Sequence, residues 1–446
     1  MEMNTFFKSM VLASALVSSA TVGAQESKVE QEYGGWDKYR IGGYGEMVAS
    51  FKDYGQNRWA TPHGNSRIRH NEISIPRMVL AGDYKFNSKW VLGVEVEFEA
   101  GGVGTEYEME AGGGAENGEY EQEFEKGGEV ALEQFHLTRL VIPEFNVRVG
   151  HMIVPVGLTN THHEPVNFFT TTRPEGETTL MPSTWHSTGL EFFGSVGRGY
   201  TSFDYEAMVL AGANADGFNK YNWIKGGKQG LFEKDNFTSP AWVFRLNYTG
   251  VKGLRVGGSF YFCNDVGANS DKLVTYKAYG RSPLRIFSLD AQYQNKFVIA
   301  RANWLRGSLN NANGISKEIG SLGKGNPYSG KASVAKEALT YSAEVGVRLK
   351  SFFPSVEKFP DVIPFAHYAY YNPQEKGEGT ASMDDRCQVS MWRMGLNWRP
   401  LPNLVVKADY TTRQIGTKKL FGTSSMYNSE NEFAIGVAYV GWFFKK

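Results

Sequence analysis

The chain has 446 residues with 47 basic and 47 acidic side chains, so its formal net charge at pH 7 is zero. A neutral chain lacks the basic excess typical of nucleic-acid binding, and we expect no nucleic-acid partner. After the first 24 residues, no apolar stretch reaches the roughly 18 residues that a membrane-spanning helix needs. This excludes a protein that crosses a membrane with helices.

The N-terminus has the pattern of an export signal. Lys8 precedes an apolar run over 10–17, and the small residues Gly23 and Ala24 close the segment. A charged region, an apolar region and a small-residue site in this order are typical of a secretory signal peptide. We predict a signal peptide over residues 1–24, cleavage between Ala24 and Gln25, and a single domain over 25–446.

Sixteen later segments alternate apolar and polar residues. A period of two places successive side chains on opposite faces of a β-strand, so each segment is predicted to be a strand. The predicted strands are 38–51, 68–86, 89–99, 130–142, 145–153, 185–195, 200–211, 241–250, 253–263, 285–295, 297–307, 339–350, 362–372, 388–399, 402–413 and 431–444.

The connections between these strands are alternately long and short. Turns such as Asn87-Ser88 and Val251-Lys252 are tight, whereas gaps such as 100–129 are long and polar. An even number of antiparallel strands with all long loops at one end is the pattern of outer-membrane barrels. The predicted fold is all-β: a 16-stranded up-and-down antiparallel transmembrane β-barrel over residues 25–446, with long extracellular loops and short periplasmic turns.

The strand over 388–399 indicates which face would meet lipid. Trp392, Met394, Leu396 and Trp398 share one face. The two tryptophans are about 20 Å apart along a strand, close to the ~25 Å height of a barrel's apolar band between its aromatic girdles. The pattern therefore predicts an outward apolar face and a polar lumen.

The last strand alternates to its end and closes on Phe443 and Phe444, just before Lys445 and Lys446. A terminal apolar strand that ends on an aromatic residue is what the barrel assembly machinery reads. We predict that Phe443 and Phe444 form the assembly signal.

The acidic gap 100–129 holds nine glutamates and the single lysine Lys126. Two interpretations stay open. The segment is a solvated external loop, or it binds divalent cations, including those that bridge lipopolysaccharide.

The sequence predicts neither a cofactor nor a metal site. Four histidines (151, 162, 163 and 186) cluster around the gap 155–184, but no HExxH motif and no familiar ligand spacing occurs. We expect ordinary polar side chains there. Cys263 and Cys387 both lie where strands meet long loops at the same end, and whether they form a disulfide or remain separate thiols is left open.

Three short stretches resemble segments of the phosphate-selective porin family, types O and P. They are Gly150-x4-Pro155-x-Gly157-Leu158, Gly189-Leu190-x3-Gly194 and Asn214-Ala215-Asp216-Gly217. The resemblance implies a homotrimeric porin in the outer membrane of a Gram-negative bacterium. It also implies that the third long loop, 155–184, folds into the lumen as a constriction and that arginines line the pore.

Carried onto this chain, the resemblance and the strand alternation give a set of candidate residues. We expect Arg173 to face Glu164, Glu175 and Glu177 beside the water path. The predicted constriction consists of Arg173, His162, His163, Glu164, Glu175 and Glu177. The predicted basic pore lining is Arg148, Arg245, Arg255, Arg348, Arg393 and Arg399, and the acidic lining is Glu95, Glu97, Glu99, Glu344 and Asp409.

Such a mixed lining indicates weak ion selectivity rather than a strong preference for phosphate. The predicted function is passive diffusion of small hydrophilic solutes and anions, with outer-membrane lipids and lipopolysaccharide, the barrel assembly machinery and two further copies of the chain as partners. Two alternatives stay open: a barrel enzyme resembling a lipase or protease, and a structural or adhesive barrel that conducts nothing.

Overall fold

The alternating segments form a closed β-barrel in the computed structural model. The structure describes residues 28–55, 68–100, 105–109, 122–126, 129–229, 234–270, 280–321, 334–356, 359–381, 383–416 and 429–446. The predicted signal peptide, with its cleavage point between Ala24 and Gln25, lies outside these residues.

Sixteen antiparallel strands make the barrel, and a separate two-stranded hairpin lies in the acidic gap. The barrel strands are β1 (Tyr39–Gly55), β2 (Ile68–Asn87), β3 (Trp90–Glu99), β6 (Glu129–Ile142), β7 (Phe145–Ile153), β8 (His186–Val196), β9 (Phe203–Leu210), β10 (Ala241–Val251), β11 (Leu254–Cys263), β12 (Leu284–Gln294), β13 (Val298–Leu309), β14 (Glu337–Val347), β15 (Val362–Lys376), β16 (Val389–Leu401), β17 (Leu404–Ile415) and β18 (Ser429–Lys445). The hairpin consists of β4 (Thr105–Met109) and β5 (Gln122–Lys126).

Each strand pairs with the next barrel strand along the chain, and β1 closes the sheet on β18. The predicted 16-stranded antiparallel barrel is therefore confirmed, with each predicted strand found within a few residues of its expected bounds. The short connections all lie at one end of the barrel. The connection between β14 and β15, residues 348–361, lies at this end too but is longer. The proposed cation binding by the acidic gap concerns side chains outside those that the structure describes.

In the described part of the chain, four α-helices accompany the strands: α1 (Lys28–Tyr33), α2 (Leu158–Thr161), α3 (Glu177–Leu180) and α4 (Ala312–Ser321). Within the described residues, none of these helices has both the length and the apolar character that crossing a membrane would require.

The strands have an apolar outer face and a polar inner face. Trp392, Met394, Leu396 and Trp398 are 47–58% exposed, whereas Arg393 on the opposite face of the same strand is 2% exposed. Phe443 and Phe444 are also exposed, and their role in assembly stays a prediction. Cys263 and Cys387 are buried separate thiols.

Strand β6 departs from strict alternation. β3 and β6 pair Glu95 with Gln134 and Val96 with Leu132, which leaves Glu133 as an extra residue in a β-bulge. The buried side chains of β6 are odd-numbered up to Glu133 and even-numbered from His136 onward. The bulge therefore directs odd-numbered side chains before it and even-numbered side chains after it toward the barrel interior.

A charge on the outer face tests the membrane orientation. Leu396→Arg should lower the free energy of unfolding in lipid vesicles by about 2–4 kcal/mol, because Leu396 lies between the two tryptophans of β16 and the cation would enter the apolar band. Phe237→Arg is the control, since Phe237 is equally exposed but lies in a long loop outside the strands. Equal costs for the two variants would show that the outer face of β16 does not meet lipid.

Candidate functional site

The long connection between β7 and β8, here called L3 (residues 154–185), enters the barrel. Its two ends are joined at a neck, where the backbone N–H of Val154 donates to the carbonyl of Trp185 at 2.9 Å. The side chain of Asn160 binds both strands of this neck, donating to Val154 O at 2.7 Å and accepting from Trp185 N at 2.6 Å. The neck fixes the point at which L3 leaves the wall.

Glu177 organises the near half of L3. Its carboxylate accepts from the backbone N–H groups of Leu158 at 2.8 Å and Thr159 at 2.7 Å, and from the side chain of Asn303 on β13. Gly157, at φ +83°, makes this approach possible, because a Cβ there would lie 2.6 Å from Glu177 Oε2. Burial raises the pKa of Glu177.

The far half of L3 is bound to the opposite wall by β17. The ammonium of Lys407 donates to three carbonyl groups of L3, those of Pro165, Phe168 and Thr170. Asp409, two residues further along, accepts from the backbone N–H of Thr171 at 2.6 Å and from its hydroxyl. Lys407 and Asp409 lie in the middle of a strand, so L3 lies within the barrel and spans its lumen.

Glu175 forms a second anchor on the same wall. Its carboxylate accepts from Arg393 at 2.8 Å, from Arg413 Nε at 2.9 Å and from the hydroxyl of Tyr371 at 3.2 Å. Burial alone would raise the pKa of Glu175, but the guanidinium groups of Arg413 and Arg393 outweigh it and lower the pKa to about 2. Glu175 is therefore ionised at neutral pH.

Arg173 was expected to face Glu164, Glu175 and Glu177, but its contacts in the structure are with other residues. Arg173 donates to Ser183 at 2.7 Å and Thr184 at 2.9 Å, and its Nη2 lies 3.7 Å from Glu97 on β3. Glu164 accepts from the side chain of Asn167 at 2.6 Å. Glu175 and Glu177 bind other partners that hold L3 in place. Arg173 instead donates to L3 itself and lies near Glu97 on the wall.

The two histidines of the predicted constriction bind different walls of the barrel. His162 Nε2 accepts from Arg255 and Gln292, at 3.1 Å each. Burial and the adjacent Arg255 lower the pKa of His162 well below its usual range, so the ring is neutral. His163 turns the other way, and its Nε2 lies 3.0 Å from the hydroxyl of Tyr44 on β1.

Several predicted lining residues are paired with each other or with nearby carboxylates. Arg245 lies 2.8 Å from Asp290, Arg148 lies 2.8 Å from Glu191, and Glu344 lies 2.7 Å from Arg301. Arg348 lies 3.5 Å from Asp361 in the connection 348–361, and Arg399 donates to the carbonyl of Val166 at 3.1 Å. Glu95 and Glu97 are buried, whereas Glu99 is exposed at the end of β3.

An open cavity, here called the basin, lies beneath L3 on the short-turn side. It has a volume of about 520 Å³, and its cations are Lys252, Arg255 and Arg301. Arg301 pairs with Glu344. Among the described residues, neither Lys252 nor Arg255 has a carboxylate oxygen within 4 Å of its nitrogen atoms. The basin therefore holds two cationic side chains that form no salt bridge with the described residues.

Helix α1 also lies inside the barrel, which the sequence reasoning missed. Lys28 lies 2.7 Å from Glu206, and Glu32 binds Arg148. The ammonium of Lys85 on β2 donates to the carbonyl of Tyr33 at 2.8 Å. A six-residue helix is too short to show a helical apolar period, and its charges found partners only on the folded wall.

Comparisons with known proteins support the architecture. No protein-family model matches the chain. An uncharacterised protein of Aquifex aeolicus is 24% identical over 418 residues, which cover 92% of this chain and 83% of that protein.

Two solved structures share the fold. OmpF of Salmonella typhi, in complex with daunomycin, has a TM-score of 0.53 at 11% identity and covers 91% of this chain and 98% of its own. An anion-selective porin from Comamonas acidovorans has a TM-score of 0.51 at 8% identity and covers 93% of this chain and 100% of its own. The chain thus has the porin-like barrel of outer-membrane proteins.

The Glu175 anchor predicts how the stability of the folded chain depends on pH. The pKa of Glu175 falls from about 4.3 in an unfolded chain to about 2 in the fold. A lowered carboxyl pKa contributes stability that is complete above the unfolded value and is lost as the pH falls through the folded value. Glu175→Gln should therefore lower the free energy of unfolding by about 1–3 kcal/mol at pH 7, less than the cost of breaking a fully buried pair.

The measurement is denaturant unfolding in detergent, followed by tryptophan fluorescence from pH 7 to pH 2. The difference between the wild type and Glu175→Gln should stay constant down to about pH 4.5 and shrink below it. Glu164→Gln is the control, since Glu164 binds an amide and no guanidinium. A difference that is unchanged at pH 2 would contradict an ionic anchor at Glu175.

Proposed function

We propose that the chain forms a water-filled channel through which small hydrophilic solutes diffuse, with L3 as its constriction and a preference for anions. The observation that carries this proposal is the basin beneath L3, where Lys252 and Arg255 have no carboxylate partner among the described residues. Fixed charges in a narrow, partly dehydrated passage act more strongly on ions than the same charges on a surface.

The two anchors support the constriction. L3 crosses from its neck at β7 and β8 to Lys407, Asp409 and Arg393 on the far wall. A solute that passes along the barrel must therefore pass beside L3. The fold likeness to an anion-selective porin is consistent with the proposed preference.

Phosphate selectivity would follow from the family resemblance, but the wall arginines argue for a weaker preference. Arg148, Arg245 and Arg393 each bind a carboxylate within 2.8 Å. Paired guanidinium groups attract a passing anion less than free ones do, because the partner carboxylate repels it. The homotrimer and the contacts with lipopolysaccharide and the assembly machinery stay predictions.

A barrel that conducts nothing is the second candidate, because L3 and α1 both occupy the lumen. Conductance in planar lipid bilayers separates the two functions. We expect discrete conductance steps, and a reversal potential in asymmetric KCl with the sign of anion preference. Absence of steps from correctly folded protein would favour the non-conducting barrel. Hydrolysis of esters or peptides by such protein would instead favour the enzyme.

Charge reversal in the basin tests the source of the selectivity. Arg255→Glu and Lys252→Glu should each move the reversal potential toward cation preference, and the double variant should move it further. Lys296→Glu is the control, since Lys296 is exposed in the turn between β12 and β13 and does not line the basin. If the control moves the reversal potential as far as Arg255→Glu does, the basin is not the selective region.

A further inference from the structure

Three side chains with metal-ligating atoms meet on the wall opposite the basin. They are Glu95 on β3, Glu133 on β6 and His163 in L3. One ligand atom of each lies within 4.8 Å of the others, and all three residues are buried. The two members that are nearest in sequence, Glu133 and His163, are 30 positions apart, so the three residues do not form a sequence motif.

The β-bulge of β6 creates this cluster. Glu133 is the extra residue opposite the Glu95–Val96 step of β3. Without the extra residue, the alternation of β6 would turn either Glu133 or the later inward residues toward lipid. Bulges often redirect a side chain next to a functional site. Here the bulge brings a second carboxylate beside that of Glu95.

The side chain of Glu133 is incompletely satisfied. Its Oε2 accepts from the hydroxyl of Tyr44 at 3.1 Å, but Oε1 has no hydrogen-bond partner among the described residues. The residue is 0% exposed. A fully buried carboxylate oxygen without a donor is costly, and an ion or a proton is the usual compensation.

Around His163 there are fewer hydrogen-bond donors than acceptors. Its Nδ1 lies 3.0 Å from the carbonyl of Asn160, and a carbonyl only accepts, so Nδ1 carries a proton. In a neutral ring, Nε2 then presents a lone pair, 3.0 Å from the hydroxyl of Tyr44. That hydroxyl has a single proton, which cannot serve both His163 and Glu133.

Two carboxyl groups of the cluster, those of Glu95 and Glu133, lack a cationic partner among the described residues. Arg77 pairs with Glu46 at 3.0 Å, and Arg173 lies 3.7 Å from Glu97. Glu95 accepts from the uncharged amide of Gln134, and Glu133 accepts from a phenol. Within the described part of the chain, no cationic side chain lies within salt-bridge distance of Glu95 or Glu133. One divalent cation would neutralise both carboxylates.

We propose that Glu95, Glu133 and His163 bind one divalent cation of the zinc class. One imidazole nitrogen and two carboxylate oxygens suit Zn²⁺, which takes three protein ligands plus water at an open site. Ca²⁺ takes six to eight oxygen ligands, which the cluster does not offer. The backbone bond of His163 Nδ1 is the outer contact that usually orients a metal-binding histidine. In such a site the ligand atoms would lie about 2.0–2.2 Å from the ion.

Bound metal would add a third anchor for L3. His163 belongs to L3, whereas Glu95 and Glu133 belong to the wall, so the ion joins the two. Lys407 and Glu175 already tie L3 to β15–β17. The site would tie His163 to β3 and β6, beside the contacts that Arg77 makes with the carbonyl of His163 and Arg173 makes with Glu97, and it does so whether or not the barrel conducts.

The test is a titration of the full-length folded protein in detergent, stripped with a chelator and then supplied with ZnCl₂. Calorimetry and elemental analysis should find one Zn²⁺ per chain. Glu133→Gln and His163→Gln should each weaken binding by at least about tenfold, and Tyr44→Phe should weaken it less than either. His70→Gln, at an exposed histidine on β2, should leave binding unchanged.

A rival location is the hydrogen-bonded pair of His151 and His186 beside Lys228. If His151→Gln abolishes binding while His163→Gln does not, the proposed site is wrong. If the stripped wild-type chain takes up no Zn²⁺, the two carboxyl groups are compensated by protons, and the proposal is overturned as well.

A measurement on the wild type alone covers the case in which a variant does not fold. X-ray absorption of the Zn²⁺-loaded protein should show a single imidazole among oxygen ligands near 2.0 Å and no sulfur. Two or more imidazoles, or a sulfur ligand, would contradict the assignment to Glu95, Glu133 and His163.

Discussion

A closed barrel with an apolar outer face must send its charges inward, and every charge enclosed there needs a partner. The backbone groups of the wall are satisfied by the pairing of neighbouring strands, including β1 with β18. The side chains of the lumen have no such automatic partner, and burying an isolated charge costs several kcal/mol. The interior of this protein is arranged around that requirement.

L3 meets much of the requirement, which is why it lies in the lumen rather than over the mouth. The ammonium of Lys407 is surrounded by carbonyl groups of L3, and Asp409 by its N–H and hydroxyl groups. Glu175 brings a carboxylate to Arg393 and Arg413. Without L3, these wall residues would lose their partners, and without the wall residues, the carbonyl groups of L3 would lose their donors. Loop and wall therefore stabilise each other.

The strands could be predicted from sequence because alternation is a local property, set by neighbours two positions apart. The contacts of L3 could not, because they join positions far apart in the chain, such as Thr171 and Asp409. The error at Arg173 has the same origin. Arg173 was expected to face glutamates that are close to it in sequence. Instead, Glu175 binds arginines on distant strands. Glu177 binds N–H groups of L3 and the side chain of Asn303. Glu133 was not predicted to face the lumen because that prediction assumes strict alternation along β6, and a bulge interrupts the alternation at this residue.

Among the described residues, ionisable groups without a salt-bridge partner lie on two sides of L3. Lys252 and Arg255 are basic groups of this kind in the basin, and Glu95 and Glu133 are acidic ones beside β6. Mobile anions can compensate the first pair in water, because the basin is open. The second pair is enclosed by Tyr44, His163 and the wall, so a solvated counter-ion cannot approach without direct coordination.

Gly176 allows L3 to make two sets of contacts, one with the wall and one within L3 itself. It separates Glu175, which points to Arg393 and Arg413, from Glu177, which points back to the N–H groups of Leu158 and Thr159. Two carboxylates two positions apart reach opposite directions because Gly176 has φ +100°, and a Cβ there would collide with Thr340 Oγ1. One glycine thus lets the near half of L3 close on itself while the far half binds the wall. The position of L3 in the lumen is set by both contacts at once.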